Sequence, residues 1–168
     1  GQFTTSYGLN VELAWLLLEA VDVLNLDRES YRGPILGLID HALEYGFDWE
    51  RGGLAAYGPM SGNVLEAHGL PPTRLVKPWW GQAELMNALV DAHSWTGEGR
   101  YGEALVKLWD WIWTHQIDHE YGDWYAEVDW TTGAPQSTDK GGEFKTAFHV
   151  SRALIRTVQG LQRRDMPP

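Results

Sequence analysis

The chain has 168 residues, no cysteine, ten tryptophans and a formal net charge of −10. That length can form one domain with a substantial core, and the negative charge argues against binding to nucleic acid or to anionic membranes. No stretch approaches the roughly 20 apolar residues of a membrane span, and the first residues lack the basic and apolar segments of a signal peptide. We therefore expect a single domain over residues 1–168, located in the cytoplasm.

The first part of the chain predicts two helices of different kinds. Residues 10–24 begin with Asn10, a good N-cap, and are apolar almost all round, which is typical of an inner helix with neighbours on several sides. Residues 28–46 carry apolar side chains on one face only, which predicts an outer, half-exposed helix. Gly52 and Gly53 then open a short extended segment typical of a β-hairpin.

The second part of the chain repeats that order. Residues 79–96 predict a second inner helix, residues 100–117 a second outer helix, and residues 120–133 another extended stretch. A last inner helix is expected from near Glu143 to about residue 162. The sequence therefore predicts three inner and two outer helices.

The repetition has a fixed offset of 70 residues (118 − 48). The motif DWERG, which begins at Asp48, recurs as DHEYG from Asp118, and Leu9, Trp79 and His149 form another series with the same spacing. A fixed offset of this size is typical of stacked supersecondary units that cover one another's apolar faces.

Helix pairs joined by short β-hairpins predict an all-α fold, an (α/α) toroid whose inner helices start at a common mouth. Three inner helices make half of an (α/α)6 barrel. We expect the ring to be completed by a second copy of the chain, as a homodimer, or by a missing N-terminal half, or else its open flank to be capped.

The candidate binding residues lie at the starts of the predicted inner helices. Trp79 and Trp80 offer aromatic faces that can stack on a sugar, although at least one of them could belong to the core. Glu12, Gln82 and Arg152 follow one helical turn deeper and offer hydrogen-bond acceptors and donors for hydroxyl groups. The structural alternative for Glu12 and Arg152 is an ion pair between neighbouring helices.

His149 is the best candidate for proton transfer, because imidazole titrates near neutral pH, and its alternative is a histidine satisfied within the core. His115 and His119 have the i, i+4 spacing of a metal-binding pair, but no third ligand is evident, so we expect no metal site. Several carboxylates could serve an (α/α) glycoside hydrolase or lyase, yet no spacing singles out a catalytic pair.

Four segments together resemble the C-terminal half of the N-acylglucosamine 2-epimerase/cellobiose 2-epimerase family: SYGLNVELAWLLLEA, KPWWGQAE, IDHEYGDWY and KGGEFKTAFHVSRAL. The resemblance implies an (α/α)6 barrel that epimerises or isomerises mono- or disaccharides without a metal or other cofactor. It also implies the chemistry, which is proton abstraction next to the carbonyl of the ring-opened sugar.

The resemblance carries over to single residues only in part. His149 falls on a catalytic histidine of the family, Trp79 and Trp80 fall on its KxWW motif, and Glu12 falls on the acid of its first motif. Leu9 replaces the histidine of that first motif, and the partner acid/base histidine belongs to the family's N-terminal half. We therefore expect little epimerase activity from the chain alone, and a non-catalytic carbohydrate-binding or assembly module is the alternative function.

Overall fold

The structure is a computed structural model that describes residues 4–61 and 75–165. Five α-helices account for most of the described chain, which confirms the predicted all-α class. They are α1 (Tyr7–Val23), α2 (Arg32–Tyr45), α3 (Trp79–Thr96), α4 (Gly99–Trp111) and α5 (Phe148–Asp165). A 3-10 turn (Arg28–Tyr31) precedes α2, and a π-helical turn (Ile112–Gln116) extends α4.

The inner helix α3 is the centre of the fold, with α1 packed on one side and α5 on the other. The outer helices α2 and α4 pack against α1 and α3 respectively. This arrangement explains why α3 is apolar almost all round, since every residue from Gly81 to Val90 is buried. The predicted alternation of inner and outer helices is therefore present.

Three helices begin at residues other than those predicted. Helix α2 begins at Arg32 instead of residue 28, after the 3-10 turn. Helix α1 begins at Tyr7, because the hydroxyl of Ser6 accepts a hydrogen bond from the backbone of Leu9 and caps the helix four residues before the expected cap Asn10. Helix α5 begins at Phe148 instead of near Glu143. The segment before α5 is irregular, and within it the ammonium group of Lys145 donates a hydrogen bond to the carbonyl of Lys140.

The extended segments form two small antiparallel sheets whose strands are far apart in sequence. Strand β1 (Thr4–Ser6) pairs with β2 (Tyr57–Pro59), and β3 (Val76–Pro78) pairs with β4 (Glu127–Asp129). Each sheet therefore joins the segment before an inner helix to the segment after the following outer helix. The predicted local hairpins form only isolated bridges. Phe47 pairs with Leu54 and Ile117 with Trp124, again 70 residues apart (117 − 47), and the second unit adds a bridge between Val128 and Pro135.

The repeated DxExG motif forms the same tight turn in both units. Oδ1 of Asp48 accepts hydrogen bonds from the backbone amides two and three residues ahead, at 3.1 and 3.0 Å, and Oδ1 of Asp118 does the same at 2.9 and 3.1 Å. The glycine four residues on has a positive φ, 93° at Gly52 and 76° at Gly122, and donates its amide to the aspartate carbonyl. The motif is thus a local turn signal, with glycine required by the left-handed backbone.

A lysine from the following unit binds each turn. Nζ of Lys77 lies 3.0 Å from Oδ2 of Asp48 and 2.6 Å from the Gly52 carbonyl. Lys140 makes the equivalent pair of contacts with the Asp118 turn, at 2.6 and 2.9 Å. The side chain of Lys77 is only 1% exposed, and its ammonium lies 4.9 and 4.4 Å from the ring centroids of Trp111 and Trp130. Burial lowers the pKa of Lys77 despite the neighbouring carboxylate.

No helix among the described residues is long and apolar enough to span a membrane. The cytoplasmic location stays a prediction from the sequence.

The buried Lys77–Asp48 pair should be important for stability. Lys77→Ala leaves the carboxylate of Asp48 buried without its cation, and we expect the free energy of unfolding to fall by about 3–5 kcal/mol. The matched control is Lys140→Ala, which removes the same contacts from a more exposed pair and should cost much less. Urea unfolding of both variants measures the difference, and equal losses would contradict the assignment of Lys77 to the core.

The turn at Asp118 should titrate at an unusually low pH. The hydrogen bond from Lys140, followed by that from the Tyr121 amide, lowers the pKa of Asp118 from an ordinary 3.8 to about 2. Because the folded-state pKa lies below the ordinary value, the stabilisation is fully present above that value and disappears as the pH falls towards 2. Carboxyl NMR titration should give a midpoint near 2 that rises in Lys140→Met, and an unchanged midpoint in that variant would contradict this origin.

Candidate active site

The inner helices share a concave face on which each contributes polar residues at i, i+3 and i+7. The residues nearer the helix starts form what we call the upper layer, and those one to two turns further on form the lower layer. The upper layer comprises Glu12 and Trp15 of α1, Glu84 of α3, and His149 and Arg152 of α5; the lower layer comprises Glu19, Asp91 and Arg156. Contacts between these side chains cross all three inner helices.

Glu84 is the centre of the upper layer. Its side chain is 0% exposed, and its Oε1 lies 2.5 Å from both Nδ1 of His149 and a terminal nitrogen of Arg152. The other oxygen, Oε2, accepts a hydrogen bond from the indole of Trp15 at 2.7 Å and a longer one from Asn87 at 3.4 Å. Every lone-pair direction of this buried carboxylate is therefore directed at a donor.

His149 is held in a defined orientation by that carboxylate. A carboxylate can only accept, so Nδ1 of the imidazole carries the proton shared with Glu84, and Nε2 is the nitrogen available to take up or release another. The ring lies edge-on to Phe148, with centroids 5.1 Å apart, and 6.3 Å from Trp80. With a side chain 22% exposed, the imidazole is accessible to a ligand. This arrangement is suited to general acid–base chemistry.

Arg152 supplies the positive charge of the upper layer. Besides its bond to Glu84, it lies 3.7 Å from Glu12, and its guanidinium stacks over the rings of Trp15 and Phe148 at 4.6 and 4.2 Å. Burial and the nearby charge of Glu84 raise the pKa of Glu12, while His149 and Arg152 oppose that rise. The ion pair between Glu12 and Arg152, which the sequence offers as the structural alternative, is present. The distance from Arg152 to Glu84 is shorter, however, at 2.5 Å.

The two adjacent tryptophans have different surroundings. Trp80 lies near His149 and close to α1, where a Cβ added at Gly8 would come within 2.6 Å of its ring, so that only glycine allows this approach. Trp79 packs against the core, and its ring centroid lies 5.9 Å from the ammonium nitrogen of Lys145. Trp80 is thus the member of the pair associated with the upper layer.

Gln82 does not belong to the concave face, which corrects the expectation that it contacts substrate. Its side chain is 0% exposed. The amide oxygen accepts from the backbone of Leu54 at 2.7 Å, and the amide nitrogen donates to the carbonyls of Leu54 and Pro78, both at 2.9 Å. With both polar groups occupied by backbone, Gln82 joins α3 to the first hairpin.

Leu9 is the member of the 70-residue series that lies on α1. Its side chain is 56% exposed and continues an apolar stripe along α1 with Leu13, Leu16 and Val23. No hydrogen-bonding or charged group stands at this place in the first unit. The first helix therefore contributes only Glu12 and Trp15 to the upper layer.

The residue that sequence analysis missed is Glu84. It lies within the quoted segment KPWWGQAE, and a signal was available, since a carboxylate in the middle of an otherwise apolar helix requires partners.

A metal ion is a second possible use of these donors. Ligand atoms of Glu12, Glu84 and His149 lie within 4.8 Å of one another. The guanidinium of Arg152, however, is already bonded to the same Glu84 oxygen as His149, so a divalent cation would have to compete with a fixed positive charge. His115 and His119 each bind a backbone carbonyl, of Gly133 and Trp113 respectively, and do not converge. We therefore interpret the upper layer as an acid–base site.

A cavity of about 420 Å³ lies towards the other ends of the inner helices. The lower-layer residues Glu19, Asp91 and Arg156 line it, together with Trp95. Its lining does not include His149, so the cavity and the acid–base group are distinct regions of the concave face.

Comparison with known proteins identifies the family of this fold and site. The family model described as N-acylglucosamine 2-epimerase matches residues 2–153. N-acylglucosamine 2-epimerase of Mus musculus is 34% identical over 117 residues, which are 68% of this chain and 26% of that protein. D-mannose isomerase of Marinomonas mediterranea is 30% identical over 144 residues, which are 83% of this chain and 34% of that protein.

A solved structure gives the same result at the level of the fold. Cellobiose 2-epimerase from Spirochaeta thermophila aligns with a TM-score of 0.76 and 26% identity, covering 99% of this chain and 40% of that one. This confirms the predicted partial (α/α)6 barrel, and it means that the chain spans well under half the length of the relatives it matches. The chain belongs to the N-acylglucosamine 2-epimerase family of sugar epimerases and isomerases.

Proposed function

We propose that His149 transfers a proton in the 2-epimerisation or aldose–ketose isomerisation of a mono- or disaccharide. The observation that carries the proposal is the imidazole held by the buried carboxylate of Glu84, exposed on the concave face of a chain from this family. D-mannose isomerase and cellobiose 2-epimerase among its relatives act on sugars of this kind, as their names state.

The neighbouring residues support defined roles in this reaction. Nε2 of His149 takes the proton from C2 of the open-chain aldose, which leaves an enediolate between C1 and C2. Return of a proton to the other face of C2 gives the epimer. Return to C1, with transfer of the O2 proton to O1, gives the ketose. In this proposal Arg152 and Glu12, which lie 3.7 Å apart beside His149, hydrogen-bond hydroxyl groups of the sugar, and the ring of Trp80 stacks on it. Neither a metal nor another cofactor is part of this proposal.

The chain alone should carry out this chemistry incompletely. One histidine can remove and return a proton on a single face of C2, but inversion requires a second group on the opposite face. Leu9 stands where the first motif of the family has a histidine, and a leucine side chain cannot exchange a proton. Because each general acid–base step typically contributes about 10²–10⁴-fold, epimer formation should be slow even if proton removal persists.

Isotope exchange separates these two steps. In deuterated buffer with mannose, glucose, N-acetylmannosamine or cellobiose, we expect deuterium to enter C2 of the starting sugar at least about tenfold faster than epimer or ketose forms. His149→Asn should reduce that exchange about 10²-fold or more. The matched control is His119→Asn, which changes a histidine outside the concave face and should leave the exchange rate unaltered.

The alternative function is a non-catalytic carbohydrate-binding or assembly module, which Leu9 favours. Calorimetry with the same sugars discriminates between them. Saturable binding without exchange at C2 would support the module and contradict the enzyme, whereas exchange that His149→Asn abolishes would support the enzyme.

We further propose that the single domain, residues 1–168, is completed into a ring by a second copy of the chain. Both flanks of the half-barrel expose apolar stripes: Leu9, Leu13, Leu16 and Val23 on α1, and Phe148, Ile155, Val158 and Leu161 on α5. Exposed apolar surface of this extent is typical of an interaction site. A two-fold axis through the centre would pack α1 of one copy on α5 of the other, so that two sets of three inner helices make six.

Sedimentation of the chain tests this closure. We expect a dimer whose dissociation constant rises at least about tenfold in Leu13→Glu, because a charge would then face the partner's apolar stripe. Val106→Glu on the outer helix α4 is the control, since Val106 is exposed to a similar degree, 63% against 48% for Leu13. A soluble monomer would contradict closure of the ring by a second copy. It would favour the other expectation, in which an N-terminal half completes the ring.

A further inference from the structure

Two guanidinium groups, one from each layer of the concave face, stack on the indole of Trp15. Those of Arg152 and Arg156 each lie 4.6 Å from the ring centroid, and the Trp15 side chain is almost completely buried. Its Nε1 donates the 2.7 Å hydrogen bond to Glu84. The orientation of the indole therefore decides whether Oε2 of Glu84 keeps the shorter of its two hydrogen bonds.

Arg156 is itself fixed by both neighbouring inner helices. One terminal nitrogen lies 2.7 Å from Asp91 of α3, and the other lies 2.9 Å from Glu19 of α1. A guanidinium bound at both terminal nitrogens has little freedom to rotate, which makes it a rigid surface for the indole to stack on. The lower layer thus supports the upper layer through direct contacts.

We propose that Arg156 is a positioning residue for the acid–base site. Its guanidinium holds the Trp15 ring by stacking, the indole N–H fixes the carboxylate of Glu84, and Glu84 fixes the Nδ1 side of His149. The second donor to Oε2, Asn87, is 3.4 Å away and is too weak to replace the indole. If the indole tilts, the carboxylate can rotate and its bond to His149 loosens. The inference relies on the proposed function only for the role of the upper layer as a catalytic site.

The hydrogen bond between His149 and Glu84 gives a readout that requires no turnover. In the intact chain the Nδ1 proton of His149 should appear in NMR spectra as a downfield signal that exchanges slowly with water, assigned by its loss in His149→Asn. Arg156→Gln removes the stacking cation and should accelerate that exchange about tenfold. Trp15→Phe keeps an aromatic ring but removes the donor to Glu84, and should accelerate it at least as much.

Arg28→Gln is the matched control. Arg28 forms an ion pair with Asp22 at the same end of the inner helices and also lines the cavity, but it does not stack on Trp15. In this variant the exchange rate of the His149 Nδ1 proton should stay within about twofold of the rate in the intact chain. An unchanged rate in Arg156→Gln, or an equal acceleration in Arg28→Gln, would overturn the proposal.

A second variant covers the case in which Arg156→Gln does not fold. Asp91→Asn removes the charged partner of Arg156 and should fold, because the amide has nearly the shape of the carboxylate and its oxygen can still accept a hydrogen bond from the guanidinium. We expect this variant to accelerate exchange of the His149 proton by several-fold, while the melting temperature measured by circular dichroism shows that the fold is retained. No acceleration in a folded Asp91→Asn variant would contradict the role of the lower layer. All of these results are independent of whether any sugar is turned over.

Discussion

The burial of one carboxylate, that of Glu84, is the constraint on which the concave face depends. A buried charge is strongly unfavourable unless donors surround it, and its donors come from α1, from its own helix and from α5. The three inner helices can therefore pack in only one register if Trp15, His149 and Arg152 are all to reach it. The same contacts that satisfy the charge also orient the imidazole, so that stability and the candidate chemistry share one set of interactions.

The sequence was most informative where structure is local. The DxExG turns depend on side chain-to-backbone bonds that span two or three residues, so both were visible as a repeated motif. The order of inner and outer helices follows from helical periodicity, which is also local. The start of α1 is not fixed by local sequence, because Ser6 and Asn10 are both good caps and the pairing of β1 with a distant strand favours Ser6.

The candidate site was less predictable because its contacts are remote in sequence. Glu84 meets Trp15, His149 and Arg152 at separations of 69, 65 and 68 residues. The 70-residue offset predicts that Glu12, Gln82 and Arg152 share a level of the repeat, yet the side chain of Gln82 is buried and bonded to backbone. Periodicity places residues on equivalent helices, whereas the direction of each side chain depends on how the helix is rotated.

The lysines that bind the two turns have a consequence for folding. Lys77 precedes α3 but binds the turn after α2, and Lys140 precedes α5 but binds the turn after α4. Each unit thus has its turn secured by the unit that follows it, and neither of these units contains all of its own stabilising contacts. In arrays of this kind, stability resides largely in the interfaces between neighbours. We expect the units to unfold together as a coupled array, with the loss of one junction weakening the unit before it.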